Sequence, residues 1–335
     1  MDGIVMWPDW PLDYRTWGSS TNSPEAPYQG QAASSHVTQA SPQLGDRAMW
    51  AFFGDENRFT TSAIPWLRQV FLLAGYAVDQ TRLPALLRDI ENVKKPFGLS
   101  LRHPVKYNFK DDRLRSYYHE RGEDALLAAA QPKSEPIRRG LLQLLQRHQA
   151  RTFVCAMGSL GFKSPKEYYG WTTTNLLQRL GYLCQGNAAL PDLLVCLDWP
   201  DSNVGKSYFA NYHEPWHTGK SVEGHTFTCG SLRSRQAFPD LVVGSTIHNP
   251  FLQLADLVAG AAQDFVTWAI TGNGLQRTST YFPPVALCFL ARPSLRYHQT
   301  SFISAPDGLA GQMRKAYTTL ATQLSQGNPP LILPV

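Results

Sequence analysis

Leu252-Gln253-Leu254-Ala255-Asp256-Leu257-Val258-Ala259-Gly260-Ala261 places a single carboxylate inside a long apolar run. The run opens after Asn249-Pro250, a capping residue followed by proline at the first helical position, and continues to about Ile270 with apolar residues on nearly every face. That pattern predicts a buried helix. Burying an ionised carboxylate costs several kcal/mol unless something pairs it. No Lys or Arg lies within a turn of Asp256. Its partner must come from elsewhere in the fold, and a metal ion shared with other carboxylates is one answer. Gln253, Gly260 and Asp264 fall on the same helical face. Gln253 could orient a ligand there; Asp264 could equally be the solvent-side end of that face.

Upstream, Ala48 to Phe53 reads as a strand broken by Gly54-Asp55-Glu56-Asn57, and Ile64 to Val78 as a second strand with its flanks. Helical spacing recurs over Arg82–Val93, Ile137–His148 and Pro165–Cys184, with a short strand at Thr152–Met157. Leu193 to Leu197 is a fully apolar strand ending in Asp198. Residues 200–236 read as polar loop, Asp240–Ser245 as a further strand, and Val285–Leu290 as strand-like before a closing helix from about Leu309 to Leu324. The alternation implies an α/β sheet with helices on its faces. A fully apolar strand suits a sheet covered on both sides.

Two acids share a position in this scheme. Asp55 follows the first strand almost at once, and Asp198 directly follows the most apolar one. Ligand sites of open α/β sheets gather at the carboxyl ends of strands. Three carboxylates converging there would repel one another unless a divalent cation balanced them. Oxygen ligands suit Mg²⁺ or Mn²⁺, and a pair of such ions can activate water and stabilise the leaving oxygen in phosphodiester hydrolysis. Taken singly, Asp55 and Asp198 read as turn or cap residues; the apolar surroundings of Asp256 favour function.

Phe52-Phe53-Gly54-Asp55-Glu56-Asn57 resembles the strand followed by Asp-Glu that opens the domain-of-unknown-function 3800 family, a group with an RNase H-like fold. Leu252-Gln253-Leu254-Ala255-Asp256 is similar to that family's C-terminal signature, Val195-Cys196-Leu197-Asp198 to its strand with a terminal acid, and Pro104-Val105-Lys106-Tyr107 to its small lysine motif. The resemblance spans roughly residues 48–270. It implies an RNase H-like mixed sheet flanked by helices, with Asp55, Asp198 and Asp256 as metal-binding acids and Glu56 and Lys106 beside them. Asn57 departs from the family's usual small Ser. On this reading residues 46–271 are the RNase H-like domain, 272–335 a C-terminal extension, and 1–45 an N-terminal extension rich in Ser and Gln, carrying Trp7, Trp10 and Trp17. Those tryptophans are more than a linker needs and are expected to dock on the domain or on a protein partner.

Composition sets the bounds. A chain of 335 residues, 43% hydrophobic and 17% charged, is long enough and apolar enough to form a sizeable core. Its net charge of +5 is compatible with a nucleic-acid partner without requiring one. The five cysteines (Cys155, Cys184, Cys196, Cys229, Cys288) form no CxxC pair, so a zinc ribbon is unsupported and a reducing, cytoplasmic setting is expected. No basic-then-apolar leader and no run of about 18 apolar residues is present, so neither a secretion signal nor a membrane span is expected.

Three motifs look sharper than they are. His213-Glu214-Pro215-Trp216-His217 matches the HExxH string, but Pro215 and the loop-like surroundings argue against the helix that zinc chemistry needs. Gly205-Lys206-Ser207 and Gly219-Lys220-Ser221 copy the tail of a P-loop without its leading glycine. The basic segment 203–236 is either an electropositive rim for backbone phosphates or an ordinary solvated loop. Asp111-Asp112 and Glu120–Asp124 read as solvent-facing charge, and Arg138-Arg139 as a weakly supported partner-facing patch.

The expected activity is metal-dependent phosphodiester hydrolysis of nucleic acid by the triad Asp55, Asp198 and Asp256 with Mg²⁺ or Mn²⁺, Lys106 positioning a phosphate or damping the negative charge. The alternative is a catalytically inactive subunit that keeps the fold and binds nucleic acid or protein in a larger assembly. A phosphatase acting on small phosphate esters is a third, weaker reading.

Overall fold

A computed structural model describes residues 49–61, 63, 67, 69–158, 165–183, 193–199, 205–289, 302–305 and 307–326. The N-terminal extension 1–45 and its tryptophans lie outside the described residues. One compact unit spans Arg47–Val335. Within it, the strand Phe302–Ala305 brings part of the stretch beyond residue 272 into the sheet itself.

Six strands form one mixed sheet: β1 (Trp50–Thr60), β2 (Gln69–Asp79), β3 (Arg151–Gly158), β4 (Leu193–Asp198), β5 (Val242–Gly244) and β6 (Phe302–Ala305). Their order is β5-β4-β1-β2-β3-β6. β1, β2 and β3 are mutually antiparallel; β4 runs parallel to β1, β5 to β4, and β6 to β3. The helices are α1 (Leu83–Lys94), α2 (Asp112–His119), α3 (Asp124–Ala130), α4 (Ser134–Arg147), α5 (Pro165–Leu183), α6 (Gly205–Thr218), α7 (Pro250–Thr271), α8 (Leu275–Ala286) and α9 (Asp307–Gln326). The α/β class expected from the alternation holds, and among the described residues no helix is long and apolar enough to cross a membrane.

Alternation along the strands divides the core in two. Ala51 and Phe53 of β1 and Cys196 of β4 face one layer, built chiefly by α1, α4, α7, α8 and α9. Phe52 of β1 and Val195 and Leu197 of β4 face the other, built by α5, α6 and the 227–241 segment. Each fully buried Leu or Phe contributes roughly 1.5–3 kcal/mol. α7 lies against β1 and β2 with Leu252 through Ala262 buried without interruption, and Asn249 caps it by accepting from Phe251 and Leu252 N–H.

Several elements differ from their sequence expectations. β1 is not broken at Gly54: it pairs with β2 from Trp50↔Asp79 to Thr60↔Gln69. Gly54 is there because a Cβ would come within 2.7 Å of both the Phe52 ring and Leu197. The 200–236 segment is not all loop, because α6 occupies Gly205–Thr218 and carries the His213–His217 string with Pro215 inside it. Tyr212 and Trp216 anchor that helix to the backbone, donating to Phe238 O at 2.6 Å and Ala237 O at 3.0 Å, and such tertiary anchoring outweighs the proline penalty. Val285 and Ala286 end a helix, α8, rather than opening a strand; Phe289 retains one parallel bridge to Thr152. Asp111 caps α2 by accepting from Leu114 N–H, and Asp124 sits in the first turn of α3, so those charges start helices. All four described cysteines (Cys155, Cys196, Cys229, Cys288) are buried free thiols.

Candidate functional site

Strand geometry brings the first two acids together. The last paired position between β1 and β4 is Gly54↔Leu197, so Asp55 and Asp198 follow it side by side. Neighbouring strands lie about 4.8 Å apart. Both acids fall on the face that packs against α7, because they alternate with Phe53 and Cys196. α7 supplies Asp256 to the same place, and the Asp256 and Asp198 carboxylates both act on Asp55 electrostatically.

The surroundings raise all three pKa values. For Asp55 burial is the largest cause, followed by the charges of Asp256 and Asp198; Lys106 and the Glu56 N–H, which donates at 2.7 Å, pull the other way. Burial likewise pushes Asp256 up, against Lys106 and a bond of 2.5 Å from the Tyr107 N–H. Asp198 rises by burial against the Thr246 N–H, which donates at 2.6 Å, and against Lys106 and Arg113. Burial lowers the Lys106 pKa, but Asp256, Asp111, Asp55 and Asp198 more than restore it, so the ammonium is held charged. Its nearest ion pair is Asp111, at 3.6 Å. The site is thus a buried acid cluster around one lysine.

Glu56 is placed differently. One residue beyond Asp55, it points to the opposite layer, where the Tyr208 hydroxyl of α6 donates to it and Arg58 stands at 3.8 Å. It still feels Asp198 electrostatically. Alternation along β1 separates these sequence neighbours.

The 103–107 segment reaches the acids because one face of α7 grips it. Gln253 Oε1 accepts from Val105 N–H at 3.3 Å and from Lys94 Nζ at 2.7 Å, and Asp256 accepts from Tyr107 N–H. Gly260 makes room for the Tyr107 ring: a Cβ there would fall 2.0 Å from Tyr107 Cγ. Asp264 accepts from the Tyr107 hydroxyl at 2.5 Å and from Arg277 Nε at 2.9 Å. Gln253, Asp256, Gly260 and Asp264 therefore share a face as their spacing predicts, and all four hold the segment that carries Lys106. Arg138 completes the clamp, donating to Tyr107 O at 2.7 Å with its guanidinium over the Tyr107 and Tyr281 rings. It is an internal brace, where the sequence suggested a partner-facing patch.

Four participants were not singled out from sequence. Tyr107 and Thr246 act through backbone N–H groups, which leave no sequence trace. Asp111 read in the sequence only as solvent-facing charge. Lys94 is a lysine at a core position of α1, wholly buried, with burial lowering its pKa to about 7. Its Nζ donates to His103 O at 2.9 Å besides Gln253.

The donor set is chemically suited to a hard cation, since Asp55, Asp198 and Asp256 offer only oxygen and their negative charge exceeds what Lys106 supplies. As the side chains stand, no three His, Cys, Asp or Glu residues are grouped to hold a metal ion among the described residues. The HExxH string gains a helix but no such group: His213 and His217 stack at 6.4 Å between ring centroids, and His213 faces Asp240 at 3.3 Å. α6 and residues 227–241 pack in the layer opposite α7, which is where the basic 203–236 segment belongs.

No family model matches the chain, and no curated protein or solved structure matches it either.

Proposed function

We propose that this protein is a divalent-metal-dependent nuclease of RNase H-like fold. The observation that carries the proposal is the gathering of Asp55, Asp198 and Asp256, from two adjacent parallel strands and a buried helix, around Lys106. Supporting it are the core order β5-β4-β1-β2-β3, antiparallel on one side of β1 and parallel on the other, and the ordered motifs that resemble the domain-of-unknown-function 3800 family. Three carboxylates held at raised pKa by burial and mutual repulsion store an electrostatic cost that a cation relieves. Asp55, Asp198 and Asp256 would hold Mg²⁺ or Mn²⁺, which supplies charge neutralisation and a water of lowered pKa. Lys106 steers a phosphate toward the acids and balances part of their charge. The Thr246 and Tyr107 N–H groups keep two of the carboxylates oriented.

The test is a cleavage assay on labelled single- and double-stranded DNA, RNA and hybrid with Mn²⁺ or Mg²⁺, against EDTA and Asp256→Asn. Metal-dependent cutting lost in the variant is expected. Absence of cutting by a folded, metal-supplied protein on every substrate would defeat the proposal.

A second reading has its own observation. Lys106 is already paired with Asp111, and the acids repel one another, without three of them grouped for a metal among the described residues. A subunit that keeps this cluster as structure would bind nucleic acid or protein without cutting.

A further inference from the structure

A groove of about 380 Å³ opens between α2 and the Ile247–His248 loop. Both walls are tied to the acid cluster. α2 begins at Asp111, the ion-pair partner of Lys106 at 3.6 Å. The opposite wall follows Thr246, whose N–H holds Asp198 at 2.6 Å. The groove therefore lies beside the acid cluster, with walls that directly follow, in sequence, residues contacting it.

Its lining combines cationic and aromatic groups. Arg113 and Arg121 lie about two helical turns apart, and Arg113 is a cation that acts on Asp198. The Arg121 guanidinium carbon lies over the Tyr117 ring, 3.7 Å from its centroid, and the Tyr117 and His248 rings meet edge to face at 6.0 Å across the gap. Asp112 on the same rim is paired with Arg115; Glu120 is the other carboxylate of the lining. Phosphates need such cations beside a carboxylate centre that would otherwise repel them. A guanidinium stacked on an aromatic ring offers a flat platform for an unpaired base. A duplex keeps its bases stacked inside and cannot present one.

We propose that this groove binds single-stranded nucleic acid on one side of the acid cluster, with Arg113 and Arg121 on the phosphates and the Arg121–Tyr117 stack against a base. The proposal rests on the nucleic-acid reading above and adds strand state and direction of approach.

The test is binding without cleavage. Fluorescence anisotropy in EDTA would follow labelled single strands of about 12 nucleotides, DNA and RNA, and the matching duplex, on the full chain. The variants are the double substitution Arg113→Gln with Arg121→Gln, and separately Ser116→Glu, which leaves both arginines in place and adds an opposing charge at an exposed groove position. Single strands should bind more tightly than the duplex. Each variant should weaken single-strand binding about tenfold or more, and the double one should flatten the salt dependence by roughly 0.7 per lost phosphate contact. Unchanged affinity and salt slope in variants that unfold normally in urea would overturn the groove, as would preference for the duplex or no binding by the wild type. Failure of the nuclease reading looks different: groove-dependent binding by a protein that never cuts.

Discussion

Lys94 lends itself to a test worked from the structure. Its ammonium is wholly buried, and it donates to two neutral acceptors, His103 O and Gln253 Oε1. Burial lowers its pKa from 10.5 to about 7. Between those values the unfolded chain holds the proton and the folded one has released it. The unfolded state then binds more protons, so stability rises with pH across that window and is flat below it, where both states are charged. From pH 7 to 8.5 the lysine should add about 1.6 kcal/mol, the full slope of about 1.4 kcal/mol per pH unit being reached only once the folded amine is neutral. Lys94→Met removes this dependence while keeping the volume. Urea denaturation of both proteins at pH 6, 7, 8 and 8.5 gives the difference, in which titrating groups that Lys94 does not touch cancel; His103, whose pKa the Lys94 charge helps to lower, does not. The variant should gain on the wild type at pH 6, offset by about 1–3 kcal/mol for the His103 carbonyl left without its donor. A difference between the two proteins that does not change from pH 7 to 8.5 would refute the reasoning, because it would mean that the folded lysine keeps its proton.

Other consequences follow from the same contacts. Gly260→Ala should lower the unfolding free energy, read by urea denaturation, by about 2–3 kcal/mol, because its Cβ meets the Tyr107 ring at 2.0 Å and the ring is held from both ends; retention of wild-type stability would show that Tyr107 moves freely. Asp256→Asn in EDTA should gain about 1 kcal/mol at neutral pH, since the amide oxygen still accepts from Tyr107 N–H while a buried, repelling charge is removed. That gain should grow as pH rises from the ordinary carboxylate pKa to the raised folded one, the window in which the folded wild type gives up a proton it held more tightly than the unfolded chain. A loss of stability instead would show that the Lys106 attraction outweighs burial. Addition of Mg²⁺ should raise the wild-type midpoint and leave Asp55→Asn unmoved; equal response of the two would place the ion elsewhere. Cys155, Cys196, Cys229 and Cys288, with burial holding the thiols up near 11 to 12, should resist alkylation at pH 8 in the folded chain and react in urea, as read by peptide mapping.

What could be read in the chain was what depends on local period and local chemistry. The apolar run from Leu252, opened by Asn249-Pro250, determined a buried helix with an acid inside it, and the apolar run Leu193–Leu197 determined an interior strand. The shared face of Gln253, Asp256, Gly260 and Asp264 followed from helical spacing alone. Where a segment's own signals were mixed, tertiary packing decided. Gly54 reads as a breaker, yet β2 pairs the strand straight through it because the Phe52 ring fills the space a side chain would take. Pro215 reads as a loop residue, yet Tyr212 and Trp216 fasten the helix around it. The site shows the same division. That Asp256 is an unusual acid was legible from its place within an apolar run, whereas Asp55 and Asp198 taken singly read as turn or cap residues and drew attention through their position after strands and the motifs they share with the resembled family. That Asp55 faces α7 while Glu56 faces α6, that Tyr107 and Thr246 orient two of the carboxylates through backbone N–H groups, and that Lys106 is drawn among them are outcomes of strand register and loop docking. They depend on residues some 50 to 150 positions apart coming within hydrogen-bond distance, and no local pattern in the sequence encodes which distant partner a side chain will meet.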